Sequence, residues 1–403
     1  MASDKLYTLA ATYEKLSLFR ELSEQQIFGV RLPSGEIAYC SVLGKAARGF
    51  GLSVYVGEEN LDRYRHTFFQ SEYNSENEDF FRFISQKYFQ CLLTTKDELS
   101  DDELQAEKSF SKRNKIYFRA RHSHPRFLKF SPMYEQSFIE DEADEKILEL
   151  ALTAAIEVGN KYLDDDLPRK IEFINAPPIR RKFPLLTPDG ENFIWTMEKF
   201  PPLRYIQYPV PKFSADVLKK FKRQKKVADY QCELFAIPCS MPEVGSKRLK
   251  FPVMFMLMDS KAKMLDKACA PNFNYLERTE ELLNPLISLC TKKGVPEKIF
   301  VREDRTYDFL EDFCEQVGIE LVEVEDIQEM DEAEDELVEI FDEETEGKST
   351  EDYINELIKM LDSVPAKIFR ETMPPEVKLV LESLLNENIF DAQTNEKIRE
   401  ILK

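Results

Sequence analysis

The sequence predicts a multidomain α+β protein: an N-terminal α+β domain over residues 1–165, a mixed α/β domain over 166–345 and a helical segment over 346–403. Three observations carry that prediction. At 403 residues the chain is longer than a single hydrophobic core usually serves. Apolar spacing in the first 165 residues switches repeatedly between the helical and strand periods. Finally, residues 298–324 read strand, helix, strand, the pattern of a βαβ unit.

The first element is a helix over Asp4 to Glu21, where Leu6, Leu9, Tyr13 and Leu16 share one face. Pro33-Ser-Gly35 then separates two alternating apolar runs, which is a hairpin signal. Phe50 to Val56 reads as a strand and Leu61 to Phe69 as a helix. Lys87 to Leu93 and Lys115 to Arg121 read as further strands. Asp141 to Lys161 is amphipathic, with Leu148, Leu152, Ala155 and Ile156 on one face, and closes the first domain.

The second domain opens at Ala176-Pro-Pro178 and contains a turn at Thr187-Pro-Asp-Gly190. Strands are expected at Phe193 to Met197, Gln231 to Ile237 and Phe251 to Met258. A short basic helix is expected at Ser214 to Phe221, and another helix from Arg278 to Thr291, stopped by Gly294. The βαβ unit follows: Lys298 to Arg302, Arg305 to Gln316, Ile319 to Val324. Beyond Ser349, Ser363-Val-Pro365 and Met373-Pro-Pro375 separate two or three helices.

Composition narrows the function classes. The net charge of -20 is confined to one end: residues 294–403 carry a net of -22 and residues 1–293 a net of +2. The longest acidic run, Glu320 to Glu346, follows a strand and helix and so decorates a folded domain and its linker. Thirty Phe and 16 Tyr against one Trp make aromatic packing prominent. No apolar stretch approaches the roughly 20 residues of a membrane helix, and the start lacks an apolar signal core. The seven cysteines are scattered without a CxxC pair, so reduced, mostly buried thiols and a cytoplasmic location are expected.

No motif in the chain is a complete catalytic signature. Gly44-Lys-Ala-Ala-Arg-Gly49 lacks the closing Gly-Lys-Ser/Thr of a phosphate loop, and Gly49-Phe-Gly51 is too short for a dinucleotide fingerprint; turns and close backbone approach explain these glycines. No cofactor is therefore expected. His122 and His124 sit two apart in Arg121-His-Ser-His-Pro-Arg126, a spacing that would suit a metal or phosphate if a strand ran through it; an exposed basic loop is the plainer reading. The stretch Lys219, Lys220, Lys222, Arg223, Lys225 and Lys226, with Phe213 and Phe221 interleaved, has the composition of a nucleic-acid or partner surface, and equally of a solvated helix face. Asp259, Glu303, Asp304 and Glu320 follow or open strands, where a metal-dependent nuclease of the ribonuclease-H type holds its carboxylates. Helix capping accounts equally for Glu303 and Asp304.

The segment Phe28 to Gly44 with Leu52 to Gly57 resembles the N-terminal domain of an uncharacterised bacterial protein family. Pro252 to Asp259, Gly294 to Arg302 and Ile319 to Val324 resemble the second domain of unknown function joined to it. The resemblance implies a two-domain protein over roughly residues 5–345 and brings no catalytic set. Together these readings lead to a non-enzymatic protein-interaction or scaffold protein. The alternative is a divalent-metal nuclease or nucleic-acid-binding protein. The sequence sets neither partner nor oligomeric state.

Overall fold

The computed structural model describes residues 2–44, 49–68, 75–164, 171, 181–212, 218–219, 221, 224–242, 248–259, 275–335 and 399. The chain divides into two compact units, Met1–Gln207 and Tyr208–Lys403.

The first unit is built on an eight-stranded sheet of order β6-β5-β4-β3-β2-β1-β7-β8. Its strands are β1 Phe28–Arg31, β2 Ile37–Leu43, β3 Phe50–Val56, β4 Tyr88–Thr94, β5 His124–Phe130, β6 Ser137–Phe138, β7 Lys182–Asp189 and β8 Asn192–Lys199. Neighbours are antiparallel except β1 and β7, which run parallel. The helices are α1 Asp4–Leu16, α2 Gly57–His66, α3 Glu76–Ile84, α4 Asp101–Asn114 and α5 Glu142–Asp164.

Strand alternation sorts the two faces. Ala38, Cys40 and Val42 of β2 and Leu52 and Val54 of β3 join Leu6, Ala10 and Tyr13 of α1 and Leu148, Leu152 and Ala155 of α5 in one core. The intervening Tyr39 and Tyr55 turn to the other face, beneath Leu61 and Tyr64 of α2. There the rings form a run: Tyr55 stacks on Tyr64 at 4.3 Å, and Tyr88 on Phe130 at 4.1 Å. Much of the expected aromatic packing is this second face.

Two sequence expectations shift. The strand expected at Lys115 to Arg121 is irregular chain. Ile116 and Phe118 do alternate into the core, but the free edge of β4 is taken by His124–Phe130, so the earlier residues find no ladder. Residues 182–199, expected in a second domain starting at 166, instead pair with β1, and the first unit therefore extends to Gln207. Gly190, at φ 63°, makes the expected turn between β7 and β8.

Gly51 is fixed by close approach, because a Cβ there would lie 2.2 Å from the Cys91 carbonyl oxygen on the neighbouring strand. Gly51→Ala is expected to destabilise the first unit by about 1–3 kcal/mol through overpacking. Urea unfolding followed by the fluorescence of Trp195, the only tryptophan in the sequence, measures it.

The second unit contains a four-stranded sheet of order β13-β10-β15-β16: β10 Tyr230–Ala236, β13 Val253–Asp259, β15 Lys298–Val301 and β16 Glu320–Glu323. β13 is antiparallel to β10, whereas β10, β15 and β16 are parallel, with helix α8, Asp304–Val317, crossing from β15 to β16. This is the expected βαβ unit. Phe309, Leu310 and Phe313 of α8 are buried on one face of the sheet, with Phe255 and Phe309 at 5.5 Å. On the other face Phe235, Met254, Met256 and Met258 pack under Ile327, Met330 and Ala333, the last two on the helical turns over 328–335.

Short pairs β9 Lys226–Val227 with β14 Val295–Pro296, and β11 Met241–Pro242 with β12 Leu249–Lys250, complete the described strands. The helix expected over 278–291 is two, α6 Thr279–Leu282 and α7 Asn284–Lys293. Pro285 in the first turn of α7 explains the restart, since its ring lacks an N–H and clashes with the preceding turn. Most of the basic helix over 214–221 and nearly all of the terminal helices beyond Ser349 lie outside the described residues. Among the described residues no helix is long and apolar enough to cross a membrane.

Candidate functional site

The strongest concentration of perturbed chemistry lies inside the second unit. Glu233 sits mid-strand on β10, on the face covered by residues 328–335, and is fully buried. A charged group there needs partners. Arg302, immediately after β15, supplies them: its Nε donates to Glu233 Oε2 at 2.7 Å and its Nη2 to Oε1 at 3.2 Å. The same guanidinium pairs with Asp331 and lies 3.0 Å from Glu334. One arginine thereby ties two strands of the sheet to the acidic helical turns above them.

A second layer follows in sequence. Arg305, fully buried, donates to the Leu234 carbonyl at 2.5 Å and lies 3.4 Å from Glu303. Thr306 Oγ1 accepts from the Leu234 amide at 3.1 Å. Burial first, then the neighbouring Glu334 carboxylate, push the Glu233 carboxyl up to about 8, with Arg302 pulling the other way. Burial raises Glu334 as well. The Glu233 carboxyl can thus retain a proton near neutrality. Perturbed groups mark functional sites when a cleft exposes them; here Glu233 has no exposed surface and the Arg302 side chain is 4% exposed. What the arrangement does is pin the acidic turns to the sheet.

The structure separates the strand-end carboxylates. Asp259 pairs in register with Tyr230, which pairs with Ile299, so Asp259 is level with the start of β15. Glu303 and Asp304 follow the other end of β15, roughly 13 Å farther along at the usual rise per residue. Glu320 opens β16 opposite Lys298, three strand positions from Asp259 or about 14 Å at the usual strand spacing, and forms an ion pair with Lys298 at 2.9 Å. Glu303 is buried beside Arg305 and makes no side-chain cap, while exposed Asp304 sits in the acid-favouring first turn of α8. Among the described residues no three His, Cys, Asp or Glu side chains gather as metal ligands.

The histidines part too. His124 opens β5, buried, with Nδ1 2.7 Å from Glu107 Oε2 on α4, whereas His122 is exposed with its ring 5.1 Å from Phe50. Of the basic stretch, Lys226 Nζ donates to the carbonyls of Pro296 and Gly318, and Lys219 and Lys225 are exposed. Lys220, Lys222, Arg223 and Phe213 lie outside the described residues. Phe221, one of the two rings interleaved in that stretch, is buried with its ring 6.2 Å from Phe313 and so offers no face to a base. The six described cysteines are free, and five are buried.

Sequence reasoning missed a basic groove in the first unit. A cavity of about 310 Å³ opens between the end of α1 and the irregular chain after α4, lined by Glu14, Lys15, Lys115, Tyr117 and Arg119 among others. Read as a strand, that segment hid the signal, which is its alternation of core-facing Ile116 and Phe118 with exposed Lys115, Tyr117 and Arg119.

Fold and sites together define a tandem two-unit α+β protein with charged surfaces of both signs. Residues 4–173 match the family described as Domain of unknown function (DUF7309), and residues 217–338 match Domain of unknown function (DUF6930). The chain therefore carries two distinct domains of unknown function in tandem, as its resemblance implied. No match to the chain was found among curated proteins or solved structures.

Proposed function

We propose that this chain is a non-enzymatic protein-interaction protein of the cytoplasm, and that the acidic face of its second unit receives a basic protein partner. The observation that carries this reading is the set Glu323, Glu325, Asp326, Glu329 and Glu332, all exposed on β16 and the turns that follow it, held in place from below by Arg302. Concentrated like charge repels itself and steers an oppositely charged partner. The free, largely buried cysteines suit a reducing compartment. The separation of Asp259 from Glu303 and Asp304 gives the alternative, a metal-dependent nuclease, little support, whereas nucleic-acid binding gains support from the groove.

Capture from native lysate on wild-type bait, against bait carrying Glu325→Gln, Glu329→Gln and Glu332→Gln, tests the proposal. Basic proteins are expected on the wild type and depleted on the triple variant by up to about tenfold, given the modest worth of each exposed pair. Identical recovery on both baits would contradict it.

A further inference from the structure

We infer that the basic groove of the first unit binds single-stranded nucleic acid, with its cations on the phosphates and Tyr117 as a stacking platform for a base. The inference concerns a different unit and a different ligand from the acidic-face proposal, so either can fail alone.

Charge is the first argument. Lys15, Lys115 and Arg119 line the groove and are exposed, and Arg121 is exposed two residues farther on. None of the four forms an ion pair among the described residues, in contrast to Arg113 on the adjoining turn, which is held by Asp4 at 2.5 Å. Glu14 is the one acid among the lining residues. The groove is thus a local cationic surface in a protein of net charge -20.

Ring placement distinguishes nucleic acid from a merely acidic peptide. Tyr117 is 53% exposed although Ile116 and Phe118 on either side pack against the core. The Arg119 guanidinium lies 5.4 Å from the centre of its ring. An exposed aromatic ring and a planar guanidinium between lysines offer a base a π-face and the backbone its counter-charges, the combination used by sequence-tolerant single-strand binders.

Backbone conformation places one of these lysines. Lys115 terminates α4 at φ 60° and ψ 23°, a left-handed position that favours glycine. A lysine there is strained, and its Nζ is folded back to within 3.1 Å of the Lys112 carbonyl.

The experiment is fluorescence anisotropy of the full chain with a short fluorescein-labelled oligothymidylate over a range of salt. Wild type is expected to bind with a salt-dependent affinity. Tyr117→Ala, at an exposed position, should weaken binding about 5- to 100-fold. Lys115→Gly should leave the thermal midpoint unchanged or raised while making the log affinity against log salt slope shallower by about 0.7. Glu14→Gln should tighten binding. Lys87→Ala, exposed beside Tyr88 at the opposite end of β4 from His124, should change nothing.

Absence of binding at low salt would overturn the proposal. So would equal affinity for Tyr117→Ala, or competition by an acidic peptide or a DNA duplex as effective as by unlabelled single strand.

Discussion

Replacing Arg302 with methionine is expected to destabilise the second unit by about 3–5 kcal/mol, the usual cost of removing one partner from a buried, hydrogen-bonded charge network, because the buried Glu233 carboxyl loses both of its donors and can only take up a proton in compensation. The substitution leaves Glu233 with no surface in water and removes the link to Asp331 and Glu334 at the same time. Glu233→Leu added to Arg302→Met should recover a large part of the loss, because a well-packed apolar pair avoids the desolvation that the ion pair must overcome. Trp195 reports on the first unit, so the measurement is native-state hydrogen exchange at the amides of β10 and β15. A loss under 1 kcal/mol would mean that the guanidinium is not what holds residues 328–335 on the sheet.

Stability of the same unit is expected to fall as pH rises from about 5 to 8. The sign follows from Glu233, raised from 4.5 to about 8 by burial and by Glu334. A carboxyl raised in the folded state binds its proton more tightly folded than unfolded, so its contribution is complete below the unfolded value and disappears as pH climbs through the folded one. At about 1.4 kcal/mol per pKa unit the change is a few kcal/mol, and the upward shift of Glu334 acts in the same direction. Glu233→Gln cannot titrate and should flatten the profile. Urea midpoints by far-ultraviolet circular dichroism at stepped pH, with and without that substitution, measure it; rising stability over this interval, or an unchanged slope in the variant, would show that the proton is held elsewhere.

Local signals read directly from the sequence proved the most durable. The hairpin at Pro33-Ser-Gly35, the strand Phe50–Val56 and the βαβ unit were legible because each depends on neighbours in sequence. Two helices went unread. The Ser100-Asp-Asp-Glu103 capping box of α4 stood in the sequence, but that helix carries little apolar periodicity; α3 is amphipathic, and its Ser75 accepts from the Glu78 amide, but it is only nine residues long. The parallel pairing of β1 with β7 could not be read, because it joins Gly29 to Leu185 across more than 150 residues.

The candidate sites divided along the same line. Asp259 and Asp304 were recognised by residue type and strand-end position, but only the antiparallel pairing of β13 with β10 shows that they lie at opposite ends of one sheet. Glu233 looked like an ordinary strand residue until Arg302 and Glu334 closed around it. In the groove, Tyr117 and Arg119 read as half of an amphipathic strand, and it was the capture of the β4 edge by His124–Phe130 that freed them to line a surface.

Hydrogen exchange on the intact chain, with an oligothymidylate and then with an oligolysine peptide, tests most directly the claim that this protein works through two separate charged surfaces. The account predicts that the nucleic acid protects amides within residues 112–123, that the peptide protects amides within 320–335, and that neither changes the other's set. Protection of one common segment by both ligands, or of neither segment by either, would contradict it.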